Sequence, residues 1–219
     1  MSVRTAVPAK PRLRGVSHQV AFFVSLVTGP ALVAAAHRWP ARLATAIYAL
    51  TTTALFGVSA LFHRRTWSPA GSRRMRRLDH STIYVAIAGT YTAVAGLALR
   101  GGLRVAILGV VWTGAVAGVA SKLLWPDAPA GVVAAPYVAL GWVAVAVLPA
   151  LYRTLGPGGV AVLVAGGALY TAGAVVYALQ RPDPVPAVFG FHEVFHAFVI
   201  GGAGLHYAVV AAFALPRVH

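Results

Sequence analysis

The chain has 219 residues, of which 59% are apolar and only 10% are charged, and its mean hydropathy is +0.77. A soluble domain carries about 25% charged residues, so this composition excludes an ordinary soluble protein and indicates a protein that crosses a membrane several times. The net charge is +14, but the arginines lie in short segments between apolar runs, which favours anionic lipid headgroups over nucleic acid as partners. The chain has no cysteine, which excludes disulfides and thiolate metal ligands.

Apolar runs of roughly 20 residues are long enough to cross the hydrocarbon core as helices. Seven such runs, separated by breaks rich in Pro, Gly or Arg, predict an all-α membrane protein, a bundle of seven transmembrane helices. A segment 1–18 precedes them, and one domain, 19–215, contains them. The first run also has features of a secretory signal peptide, but its length and the six runs after it favour a retained helix. The predicted spans are 19–36, 43–62, 82–99, 103–124, 132–152, 159–179 and 188–215.

The distribution of basic residues predicts the orientation of the chain. With the N-terminus in the cytoplasm, twelve of the 18 Lys and Arg residues fall in inside segments and six in outside segments. Because short cytoplasmic connections are enriched in Lys and Arg, we expect a cytoplasmic N-terminus and an external C-terminus. Most of the bias comes from the Arg-rich connection 64–77. The inside set is Arg4, Lys10, Arg12, Arg14, Arg64, Arg65, Arg73, Arg74, Arg76, Arg77, Lys122 and Arg181.

Polar side chains from three predicted helices meet at the inner face in this topology. Ser59 and His63 are four residues apart at the end of span two, and Asp79 stands at the start of span three. His192 and His196, again four apart, lie at the start of span seven. Residues four apart share one face of a helix, and ionisable groups at membrane depth tend to face an interior site.

A zinc site explains this arrangement. His63, His192 and His196 would supply three ligands and leave the fourth position open for water, the pattern of a catalytic site. Asp79 would hold and deprotonate that water, and Ser59 would bind the water or a developing oxyanion.

The remaining histidines receive other assignments. His80 is expected to be a neighbour of the site or a structural hydrogen-bonding residue, because consecutive helical residues point about 100° apart. His18 either forms an N-cap together with Ser17 or lies beside the site, and we favour the N-cap interpretation. His206 is about 15 Å deeper than His196 and too far away to share an ion.

The stretch "FHEVFH" contains His-Glu-x-x-His, the pattern of zinc proteases. No Asp or Glu follows Glu193, so a downstream carboxylate ligand is absent and the protease reading is weak. Glu193 is left with three alternatives: to reach the metal, to pair with an arginine of the segment 73–77, or to stabilise the start of its helix.

Several stretches resemble the hemolysin III branch of the progestin and adiponectin receptor family. They are "LFGVSALFHR", "RRLDHSTIYVAIAGTYT", "SKLLWPD", "LYTAGAVVYALQRPDP" and "FGFHEVFH", in order along nearly the whole chain. The resemblance implies seven helices, a cytoplasmic N-terminus and a zinc ion bound by His63, His192 and His196. It also implies a water held by Asp79, with Ser59 close by. Many members carry acidic residues before the first span, whereas "KPRLRGVSHQ" has none.

The resemblance also implies candidate functions, because eukaryotic relatives resemble lipid amidases that act on ceramide. We therefore expect a multi-pass protein of the bacterial inner membrane that hydrolyses a lipid amide or ester with zinc. The alternatives are a receptor-like or homeostasis protein with a structural zinc and a pore-forming hemolysin.

Overall fold

The computed structural model describes residues 10–125 and 129–218, and within these ranges the regular structure is helical. Val185 and Phe189 form an isolated antiparallel β-bridge outside any strand. Residues 1–9 of the segment 1–18, which include Arg4 of the inside set, lie outside the described residues. The helices are α1 Val16–Ala34, α2 Trp39–Arg64, α3 Pro69–Ala98, α4 Gly101–Leu124, α5 Ala130–Gly141, a 3₁₀ segment Trp142–Val147, α6 Leu148–Leu179, α7 Phe191–Ala208, a π turn Val209–Ala214 and a 3₁₀ turn Leu215–Val218.

Six of the described helical stretches are long and apolar enough to cross a membrane, so the prediction of a multi-pass all-α membrane protein is confirmed. One of the six, Gly131–Leu179, has 49 residues and contains both α5 and α6. At 1.5 Å per residue it would measure about 74 Å, more than twice the hydrocarbon thickness. Its helix is interrupted at Gly156, whose φ of 74° and ψ of 176° are not helical. The predicted count of seven crossings therefore depends on how this stretch is divided.

Helix α3 begins earlier than the predicted span. The connection 64–77 was expected to be a loop, but α2 continues to Arg64 and α3 starts at Pro69. Ser68 caps α3, since its hydroxyl accepts a hydrogen bond from the Gly71 N–H at 3.2 Å. Arginine is a good helix former and proline is favoured in the first turn, so the basic residues extend the helix out of the apolar region. The expectation of an Arg-rich loop was wrong in this respect.

Helix α3 is the central element of the bundle. Within its apolar part 67% of the residues are buried, against 17–39% in the other candidate spans. It packs between α2 and α4 and also contacts α5 and α6, while α1 pairs with α2 and α6 pairs with α7. Small residues allow the close contacts: a Cβ on Gly118 of α4 would lie 2.3 Å from the Tyr84 ring of α3. In this bundle the C-terminal end of α2, the N-terminal half of α3 and the start of α7 lie together.

Candidate metal centre

The last turns of α2 supply His63 and Ser59. Both side chains are buried on the face that α2 turns towards the interior, with relative exposures of 8% and 2%. The helix ends directly after them, because Arg65 has an extended backbone conformation. His63 therefore lies in the last turn of α2, and Ser59 lies one turn before it.

The first turns of α7 supply His192 and His196. The start of α7 is fixed by two carboxylates. Glu193 Oε2 accepts a hydrogen bond from the Gly190 N–H at 2.8 Å, and Asp183 Oδ1 accepts one from the Phe191 N–H at 2.8 Å. These bonds satisfy backbone donors that a helix start leaves without partners.

The three histidines form one cluster. One ring nitrogen from each of His63, His192 and His196 lies within 4.8 Å of the others. His63 and His196 are buried, and His192 is half-buried. The Nε2 atoms of His63 and His192 are 3.1 Å apart. Two ligands of a tetrahedral zinc ion lie about 3.3 Å apart when each Zn–N bond is about 2.0–2.1 Å. The buried Nδ1 of His196 has no hydrogen-bond partner among the described residues. The donor set therefore fits a divalent transition metal.

Asp79 lies at the edge of this cluster. Its Oδ2 atom is 3.9 Å from His63 Nε2, and its side chain is buried in the N-terminal half of α3. Ser59 borders the same space as Asp79. A carboxylate and a hydroxyl thus stand beside the three imidazoles, and both border the cavity next to the cluster.

His18 of α1 also belongs to this site, so the favoured assignment as an N-cap residue was wrong. Gly15 is the N-cap of α1. The ring of His18 is stacked on that of His196, with centroids 3.7 Å apart and planes 10° from parallel. Its Nδ1 atom is hydrogen-bonded to Ser59 Oγ at 2.8 Å. His18 therefore fixes the position of one candidate ligand and of the site hydroxyl.

Glu193 makes its contacts outside the histidine cluster. Its carboxylate is buried and forms an ion pair with the Arg14 side chain. Of the three alternatives from the sequence, stabilisation of the helix start is observed. The partner is Arg14 from the N-terminal segment, not an arginine of 73–77 as one alternative proposed. Glu193 is not among the three residues of the cluster.

His80 and His206 take no part in the cluster. The His80 ring faces Tyr177 at a centroid distance of 6.3 Å, and its backbone carbonyl accepts a hydrogen bond from Tyr137. His206 Nε2 lies 3.2 Å from the carbonyl oxygen of Leu163, deep in the bundle. The position of His206 agrees with the expectation that it lies too far away to share an ion, whereas the two alternatives for His80 stay predictions.

A cavity of about 190 Å³ extends from the cluster into the bundle. It starts beside Asp79, His192 and His196 and reaches Leu163 and His206, and most of its lining is apolar. His206 follows His196 by ten helical residues, so the cavity extends about 15 Å along α7. Concave apolar sites with a few convergent polar groups are typical ligand sites.

Comparison with known proteins identifies a matching family and two similar bacterial proteins. The family model "Haemolysin-III related" matches residues 7–207. The chain is 32% identical over 176 residues to Hemolysin-3 of Bacillus cereus, covering 80% of this chain and 77% of that protein. It is 31% identical to the Hemolysin-3 homolog of Bacillus subtilis (strain 168), with coverages of 72% and 70%.

A human protein is also similar. The monocyte to macrophage differentiation factor of Homo sapiens is 27% identical over 168 residues, which cover 75% of this chain and 67% of that protein. The family match includes all three histidines of the cluster, together with Ser59 and Asp79. The chain therefore belongs to the haemolysin III-related family of membrane proteins.

Proposed function

We propose that the protein is a zinc-dependent hydrolase that cleaves an amide or ester bond of a membrane lipid. The observation that carries this proposal is the position of Asp79, whose carboxylate lies 3.9 Å from a candidate ligand at the mouth of an apolar cavity. A purely structural three-histidine site has no need of a carboxylate there, whereas hydrolysis needs a base.

The protein's own residues have distinct roles in this reaction. His63, His192 and His196 hold the divalent cation, which when bound supplies Lewis acidity and a nucleophilic water. Asp79 accepts a proton from water as the hydroxyl adds to the carbonyl carbon, and returns it to the leaving amine or alcohol as the C–N or C–O bond breaks. Ser59, oriented by His18 at 2.8 Å, donates a hydrogen bond to the developing negative charge.

The cavity suits a lipid substrate. Its lining is mostly apolar and it leads away from the histidines towards the middle of the bundle. An acyl chain in this space would place its carbonyl carbon at the polar end, beside Asp79. The lipid would enter between helices, and the basic residues of 64–77 would attract anionic headgroups, at about 1 kcal/mol for each residue near the surface.

We also propose the topology that this site requires. The residues 19–215 form one bundle in the bacterial inner membrane with seven crossings and a cytoplasmic N-terminus. The break at Gly156 supports two crossings within the stretch 131–179. The metal centre then lies just below the cytoplasmic surface.

The test uses the full chain purified in detergent, with zinc content and turnover measured side by side. The probes are a fluorescent N-acyl sphingosine and the matching fatty-acid ester. Asp79→Asn should retain zinc and lose about 100-fold or more in turnover, because general acid–base catalysis contributes factors of that order. His192→Ala should lose both zinc and turnover. Wild-type turnover in Asp79→Asn would show that the hydrolase mechanism is wrong.

Two other outcomes favour other functions. Stoichiometric zinc without turnover of either probe would favour a metal that joins α2 to α7 structurally, since His63 and His192 come from these two helices. Two relatives are named hemolysins, so dye release from liposomes that contain the purified protein tests cytolytic activity.

A further inference from the structure

The N-terminal segment Lys10–Gly15 lies against the inner side of the histidine cluster. The backbone N–H groups of Arg12 and Leu13 donate hydrogen bonds to the carbonyl oxygens of Ala187 and Val188, both at 3.0 Å. The segment is thereby joined to the connection between α6 and α7, immediately before the helix that carries His192.

The same segment also contacts α2. Gly15 has a φ of +80°, and a Cβ at this position would lie 2.6 Å from the Cβ of His63. The segment is thus held between the end of α2 and the start of α7, the two elements that supply the candidate ligands.

Arg14 connects this segment to α7 through a buried ion pair with Glu193. The side chain of Glu193 is 2% exposed and that of Arg14 is 19% exposed. The other oxygen of Glu193 accepts the Gly190 N–H. One carboxylate therefore joins Arg14 to the first turn of α7, next to His192. Loss of one partner from a buried pair leaves an uncompensated charge, which is strongly unfavourable.

We infer that Arg14 and Glu193 are positioning residues for the metal centre. Their ion pair fixes the first turn of α7 relative to α2, and the segment that carries Arg14 covers the cytoplasmic side of the cluster. The pair therefore slows the release of the metal. This inference rests on the proposed metal site and adds to it two residues that are not ligands.

The experiment measures the rate at which a strong chelator removes zinc from the zinc-loaded full chain in detergent. Arg14→Gln should release zinc about tenfold faster or more, because outer residues that orient ligands typically change metal affinity by about 10–100-fold. Glu193→Gln keeps an oxygen for the Gly190 N–H and should also accelerate release. It provides the decisive variant if Arg14→Gln does not fold.

Two controls separate positioning from general destabilisation. Arg12 lies two residues before Arg14 and its side chain is exposed, while its backbone N–H makes the hydrogen bond to Ala187. Arg12→Gln keeps that backbone bond, so it should release zinc at the wild-type rate. Tyr91→Phe removes hydrogen bonds far along α3 from the cluster, and it should lower stability without accelerating release.

The outcomes distinguish this inference from the proposed metal site. A wild-type chain that binds no zinc contradicts the metal site itself. Zinc binding with wild-type release rates in both Arg14→Gln and Glu193→Gln contradicts only the positioning role. Equal acceleration in Arg12→Gln and Arg14→Gln would also overturn it, because the effect would then follow from lost positive charge alone.

Discussion

Gly15 is the residue at which the N-terminal segment turns into α1, directly beside a candidate metal ligand. Its φ of +80° lies in the left-handed region, which a residue with a side chain adopts only at a cost of about 1–2 kcal/mol. The absence of a side chain also permits the close approach of the segment to His63. One glycine thus serves both the backbone conformation and the packing of the site.

Gly15→Ala is predicted to destabilise the protein and to weaken zinc binding. The expected loss of stability is at least about 1–2 kcal/mol, because the left-handed strain adds to the collision with the His63 side chain. Thermal unfolding and zinc titration in detergent measure the two effects. Gly102→Ala is the control, since a Cβ there meets no atom within 4 Å, and it should remain at or above wild-type stability. Equal stability and zinc affinity in both variants would contradict the prediction.

The cluster of candidate ligands could be predicted from sequence because the spacing of its histidines carries the information. His192 and His196 share a helix face, and the apolar runs place them at the same membrane depth as His63. His18 and Arg14 could not be assigned in the same way. Their contacts depend on α1 lying beside α7, and no local pattern specifies which helices of a bundle become neighbours.

The irregular 3₁₀ segment Trp142–Val147 between α5 and α6 is stabilised by a side chain of α3. The Tyr91 hydroxyl donates a hydrogen bond to the Gly141 carbonyl oxygen at 2.6 Å and accepts one from the Ala144 N–H at 2.7 Å. Backbone groups that leave the α-helical pattern inside a membrane need other partners, because lipid offers none. Tyr91 supplies both a donor and an acceptor.

Tyr91→Phe is predicted to lower stability by about 1–3 kcal/mol, since it leaves a buried donor and acceptor without partners. Unfolding in detergent, followed by the loss of helical circular dichroism, measures the change. Tyr152→Phe is a matched control because Tyr152 is 54% exposed, and its effect should stay within about 0.5 kcal/mol. A Tyr91→Phe variant as stable as this control would show that the hydroxyl is dispensable.

The end of α3 was predicted correctly from the sequence, but its start was not. Hydrophobicity locates the part of a helix that lies in lipid, so the end of span three, residue 99, agrees with the end of α3 at Ala98. Hydrophobicity does not locate a helix end in water, so the basic first turns of α3 were assigned to a loop. The capping residue Ser68 and the following Pro69 were the signals that indicated the true start.

At the scale of the whole molecule, the basic residues and the histidine cluster lie at the same predicted face. Arg73 and Arg74 are exposed at the end of α3 near which Asp79 lies. Their position predicts that the metal centre faces the cytoplasm. The orientation and the number of crossings can be tested directly, because the chain has no cysteine and an introduced one reacts without background.

Single cysteines at Arg38, Arg73 and Arg217 are predicted to react differently with a membrane-impermeant maleimide. With seven crossings and an internal N-terminus, Arg38→Cys and Arg217→Cys label in cells with an intact inner membrane, whereas Arg73→Cys labels only after permeabilisation. All three residues are exposed, so burial does not limit the reaction. Labelling of Arg217→Cys only after permeabilisation would indicate six crossings.

The separation of the candidate ligands along the chain determines when the centre can form. His63 and His192 are 129 residues apart, and Arg14 precedes Glu193 by 179. At about 5–20 residues per second a ribosome adds the second histidine roughly 6–26 s after the first. During that interval α2 is already made while its partner ligands do not yet exist. Under the proposed function, metal loading is therefore expected late in biosynthesis, because it requires α7 to have joined α2.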